Sequence, residues 1–187
     1  MLRTLPVVLL SAFVVVAACS DPNALPRAYL ANQIDTLTLA SLERGAVSQP
    51  NAYSLNLRSG VRTWEVGINF EFVFSMDLQD KTAFLPVALL GSGGNIAVKP
   101  GLLRSTAEWD AMTKAPLNGY ITLDTVPIAE LDRFYLRTAV SCLGLGVPLY
   151  GKLEVLDIDT AAATVEIRVV ANENCGYRGL SLGIPQQ

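Results

Sequence analysis

The sequence predicts one mostly β domain over residues 33–187, an antiparallel sandwich or open barrel with one short helix. Three observations predict it. Apolar and polar side chains alternate with period two through a series of short segments, as strands with one buried face require. Gly, Ser, Asn, Asp and Pro gather between those segments, where chain reversals need them. Mean hydropathy is high for a soluble domain, +0.37. The apolar first 18 residues account for part of it, and strands with apolar faces must supply the rest.

Taken in order, residues 1–18 read as a signal peptide. Arg3 is the one charge of the start, and residues 5–16 are apolar apart from Pro6 and Ser11. That stretch is shorter than the roughly 20 residues a membrane span needs. Val16-Ala17-Ala18-Cys19 resembles a lipobox, cleaved so that Cys19 becomes the lipid-modified first residue. An ordinary signal peptide with a chance cysteine is the competing reading; residue types and distance from the apolar stretch favour the lipobox. Two or more acyl chains (palmitate or its like) anchor a protein stably where one does not. Ser20, which is not Asp, resembles the Gram-negative pattern for the outer membrane. The domain is then expected on the periplasmic or cell-surface side. Residues 19–32, with Pro22 and Pro26 and no period, read as a lipidated tether.

The domain follows. In residues 35–42, Leu37 and Leu39 share a face; in 53–58, Tyr53, Leu55 and Leu57 do, ahead of the turn signal Ser59-Gly60. Residues 64–76 carry the clearest pattern, with Trp64, Val66, Ile68, Phe70, Phe72, Phe74 and Met76 on one side. Residues 82–90 are expected to return as its hairpin partner, with Pro86 marking an edge strand or an interruption. Gly91-Ser92-Gly93-Gly94 is a connector, since it lacks the lysine and helix start of a phosphate loop. Ser105 and Glu108 have capping-box spacing and open a helix that Pro116 ends, with Trp109 and Met112 on one face. Strands are expected at 119–126, 133–141, 149–158 and 163–171, the last two joined by a turn at 157–160.

The chemistry is bounded mainly by what is missing. The chain has no histidine, which removes Ser-His-Asp and Cys-His nucleophiles, His-ligated zinc and the usual near-neutral acid–base group. With 14 Lys+Arg against 17 Asp+Glu and no basic stripe, nucleic acid is not an expected partner. Cys142 and Cys175 read as a disulfide in an oxidising compartment, which would contribute about 3–4 kcal/mol by loop closure. A redox or metal pair fits less well, with no C-x-x-C and no histidine. Asp157 and Asp159 suit turn hydrogen bonds better than calcium, which needs more oxygens. Asp124, Glu130 and Asp132 read as a solvated loop. Tyr177 and Arg178 read as packing before recognition, and Met76 and Met112 as core.

Three segments resemble one family: Trp64-Glu65-Val66-Gly67-Ile68-Asn69-Phe70, Glu108-Trp109-Asp110-Ala111-Met112-Thr113-Lys114-Ala115-Pro116 with Gly119-Tyr120, and Tyr150-Gly151-Lys152-Leu153-Glu154-Val155. Their order and setting are similar to the HmuY-type haem-binding lipoproteins, nearly all-β proteins anchored to the outer membrane. That resemblance implies haem capture through paired histidines or, in some branches, paired methionines. Lacking histidine, this chain would have only Met76 and Met112 as axial ligands after removal of Met1. The expectation drawn from all this is a non-enzymatic, lipid-anchored β domain that binds a hydrophobic small molecule or an envelope protein. Haem capture is the first alternative, a structural or assembly role in the envelope the second.

Overall fold

The computed structural model describes residues 25–65, 69–91, 98–139, 142 and 144–185. Cys19, the signal peptide and most of the glycine-rich connector at 91–94 lie outside the described residues. Ten strands form two antiparallel five-stranded sheets packed face to face. The first has the order β1-β10-β9-β8-β6: β1 (Ile34–Ala40), β10 (Thr164–Asn172), β9 (Tyr150–Asp159), β8 (Arg133–Arg137) and β6 (Gly101–Ser105). The second has the order β3-β2-β4-β5-β7: β3 (Ser59–Val61), β2 (Ala52–Ser54), β4 (Phe72–Met76), β5 (Thr82–Pro86) and β7 (Val126–Pro127). The expected mostly β sandwich is what the chain forms.

Alternation explains the core. Leu39, Tyr53, Phe72, Phe74, Met76, Phe84, Phe134, Leu153, Ile167 and Val169 all turn into the space between the sheets. Phe84 of β5 lies 4.5 Å from Phe72 and 5.9 Å from Phe134, so one ring joins both sheets in tilted and edge-on contacts.

The outward face of the first sheet is covered as well. Residues 106–120 cross it as a strap and the chain end returns over it, with Leu180 N–H donating to Thr113 O and Ala115 N–H to Arg178 O. Ala115, Tyr150 and Leu180 form a second apolar cluster there. Residues 150–155 of β9 are therefore buried on both sides.

Several expectations are corrected at the level of elements. Among the described residues of 64–76, the strand runs from Phe72 to Met76. Glu65 instead closes a turn, donating its N–H to Arg62 O, and Trp64 is about half exposed beneath the Arg62 guanidinium. Alternation marks a face, but a ladder extends only as far as a partner edge, and β2 and β5 are short. Tyr53 lies in a strand that ends at Ser54; Leu57 is exposed and Arg58 adopts φ +50°. Pro86 is the last residue of β5, and the chain then coils into a 3₁₀ turn, Val87–Leu90. β7 lies beyond β5, so β5 is interrupted at its end and is not an edge.

The expected helix after Ser105 is a single 3₁₀ turn, Trp109–Ala111. Ser105 Oγ accepts from Ala107 N–H, and Glu108 reaches Arg133 at 2.8 Å, so neither half of the capping box forms. β6 was not foreseen. Of the strand expected at 119–126, only Ile121, bridged to Leu102, and β7 remain.

Candidate functional site

β4, β5 and β7 each present every second residue away from the core. Phe74, Phe84 and Val126 turn inward; Ser75, Ala83 and Pro127, directly opposite one another across the three strands, therefore turn outward. This row of small side chains, continued by Leu85, forms the floor of an open cleft of about 610 Å³. Its walls are Glu43 from the β1–β2 loop, Asp77, Asp80 and Lys81 from the β4–β5 turn, and Thr125 and Ile128 beside β7. Both Glu43 carboxylate oxygens accept from Ser75 Oγ at 2.9 Å. Asp77 accepts from Lys81 N–H at 2.9 Å and Gln79 N–H at 2.8 Å, and these bonds hold its carboxyl below the usual range. Arg44 pairs with Asp80 and donates to Asp77 O, fixing the wall. The cleft thus combines a floor of small and apolar side chains with a rim on which three carboxylates face one lysine and the Arg44 guanidinium, in the size range of small-molecule sites.

Two other groups have strongly altered surroundings. Glu71, 2% exposed, accepts from Leu55 N–H at 2.6 Å. Burial pushes its pKa up to about 8. Nearby, the Tyr53 hydroxyl and the Ser54 hydroxyl are buried and find no partner among the described residues. On the outward face of the first sheet, Arg168, Glu154 and Arg133 stand in one cross-strand row, and Glu154 bonds both arginines. Trp109 lies over the Lys152 ammonium at 4.3 Å and the Arg168 guanidinium at 4.4 Å. Lys152 also donates to Trp109 O at 2.8 Å, and burial pulls its pKa below the usual lysine range. This cluster binds the strap to the sheet.

The residues singled out in the sequence are widely separated. Cys142 and Cys175 are bridged, with Cα atoms 5.5 Å apart, and close the end of the β9–β10 hairpin as expected. Met76 is fully buried between the sheets. Met112, equally buried, belongs to the strap on the opposite side of the first sheet. That sheet stands between them, so the two sulfurs share no pocket. Asp159 accepts from Ala162 N–H at 2.8 Å and holds the hairpin turn, as expected of it, but Asp157 lies inside β9 opposite Glu166, so the turn falls at 160–163 and not at 157–160. Asp132 is more engaged than a solvated loop implies: it pairs with Arg104 and accepts from Ala129 N–H. Tyr177 and Arg178 pack, with Tyr177 nearly buried and Arg178 donating to Ala115 O at 3.1 Å.

The cleft residues escaped sequence reading. A Ser opposite an Ala opposite a Pro has no pattern along the chain, because their adjacency is a matter of register. Glu71 did leave a trace, a lone carboxylate between Phe70 and Phe72.

No protein-family model, curated protein or solved structure matches the chain. Its cleft must be read from its own residues.

Proposed function

We propose that the chain is a membrane-anchored lipoprotein whose β-sandwich is a non-enzymatic binding module, with the cleft over β4, β5 and β7 as its ligand surface. The observation that carries this is the cross-strand row Ser75, Ala83 and Pro127 under an anionic rim of Glu43, Asp77 and Asp80. Small residues keep the floor low, and ionised carboxylates favour a cationic or hydroxyl-bearing end on an otherwise apolar ligand. The lipobox ending at Cys19 supports the anchor, and the bridge between Cys142 and Cys175 supports an oxidising compartment. The separation of Met76 and Met112 by a sheet gives haem capture no support.

Fluorescence titration of the mature lipoprotein with a dansylated alkyl diamine tests the reading. Saturable binding is expected, weakened about tenfold (about 1.4 kcal/mol) by Leu85→Arg or by Asp80→Asn with Asp77→Asn. Equal binding by the Leu85→Arg variant would reject the cleft. A fatty-acid probe that labels the native chain but not Cys19→Ala checks the anchor. A Soret band on adding haem, lost in Met76→Ala and Met112→Ala, would return the haem reading instead.

A further inference from the structure

The cleft lies on one sheet of the sandwich; the chain's entry lies at one end of it. β1 starts at that end, where Ile34 pairs with Val170 near the close of β10. Ahead of it, residues 28–32 are not a free tether. Ala28 N–H donates to the Tyr177 hydroxyl at 3.2 Å, and Tyr29 and Leu30 N–H both donate to Asn174 Oδ1, at 3.0 and 3.1 Å. Asn32 exchanges both backbone bonds with Gly183, at 2.8 and 3.1 Å. The entry segment and the chain end are therefore held side by side.

Their apolar side chains are exposed nonetheless. Tyr29 is 72%, Leu182 61% and Ile184 57% exposed, and Leu145, beside the disulfide, 45%. Scattered singly, such residues need no explanation; gathered where the chain enters, they do. Among the described residues, Leu25 already lies against Gly176 and Ala28 makes the hydrogen bond to Tyr177, both close in sequence to Cys19. Fully extended, the chain from Cys19 to Ala28 reaches at most about 30 Å, and as a flexible coil it spans about 17 Å.

From this we infer that the entry end of the sandwich rests on the lipid bilayer, with Tyr29, Leu182 and Ile184 in the headgroup–acyl boundary. The inference rests on the lipid-anchored reading. A Tyr ring and branched aliphatic side chains suit that boundary, apolar below and wet above. The fixed entry segment then sets the domain's orientation, and the β4–β5 turn at the other end points away from the membrane.

The test uses the mature lipidated protein in phosphatidylethanolamine–phosphatidylglycerol vesicles, with and without dibrominated lipid as quencher. Single variants Tyr29→Trp, Leu182→Trp and Leu78→Trp each add a fluorophore, the last on the distal turn. We expect bromolipid to quench the added signal at the first two positions at least about threefold more than at Leu78, a contrast that a short-range contact quencher would produce only if they touch lipid. Equal quenching, with protein floating alongside the vesicles, overturns the inference and leaves the anchor standing. Protein that does not float overturns the anchor and this inference with it. A photoreactive side chain in place of Leu182 that cross-links to a protein in cells would assign the face to a protein partner and overturn it too.

Discussion

Glu71 is a carboxylate held out of water, 2% exposed among apolar neighbours. Its carboxyl is buried, bonded to Leu55 N–H, and has its pKa raised to about 8 from an unfolded value near 4.5. The charged groups closest to this corner are Asp35, Arg58 and Glu173, which act on neighbouring Tyr53; Arg58 bridges the other two. Between pH 4.5 and 8 the unfolded chain loses this proton while the folded chain keeps it. The folded state then binds more protons, so stability falls as pH rises through that window. Glu71→Gln keeps an acceptor for Leu55 N–H and removes the titration. Urea unfolding at pH 9 is expected to find this variant more stable than the native chain by roughly 2–4 kcal/mol, with the two converging below pH 5. A native chain with flat stability from pH 5 to 9 would show that Glu71 is already ionised in the fold.

At the scale of elements, the β9–β10 hairpin organises the first sheet. It pairs with β1 on one side and β8 on the other, and its open end carries the disulfide. Reduction, or Cys142→Ser with Cys175→Ser, is expected to lower stability by about 2–4 kcal/mol, read as a fall in the midpoint of denaturant unfolding. An unchanged midpoint would mean that the hairpin end is held by its other bonds, among them Gly176 N–H to Pro148 O. This hairpin was legible in the sequence because adjacent strands joined by a short turn pair locally; β1 was legible as a strand by its alternation, though its partner β10 was not, and the disulfide by residue type. The segment 64–76 was legible only in part, and β6 not at all. Gly-Leu-Leu-Arg-Ser at 101–105 has no alternation, since its two leucines serve opposite sides. The helix expected at 105–116 shrinks to one 3₁₀ turn, with Ser105 Oγ bonded to Ala107 N–H and Glu108 paired with Arg133 in place of the capping box.

Across the whole molecule, buried Asn32 and Asn174 join segments far apart in sequence, and buried Asn172 holds the turn between them. Asn172 donates to Tyr177 O and Gly179 O, Asn174 takes the entry segment, and Asn32 donates to Gly179 O and Ser181 O. Asn174→Ala leaves the Tyr29 and Leu30 amides without their acceptor. Hydrogen exchange at both is expected to accelerate by tenfold or more, and global stability to drop by about 2 kcal/mol. Slow exchange at both amides in that variant would show that the entry segment is held by other means. Chain pattern alone determined the β class, the cysteine pairing and the lack of histidine chemistry. Each of these depends on residue type or on spacing within a few positions. Tertiary structure alone decided the cleft, the buried Glu71, the separation of Met76 from Met112 and the joining of residues 28–32 to 174–183. Those follow from strand register and from which sheet face a loop crosses, and side chains meeting there are set by hydrogen-bond ladders between segments whose order in the chain carries no record of the contact.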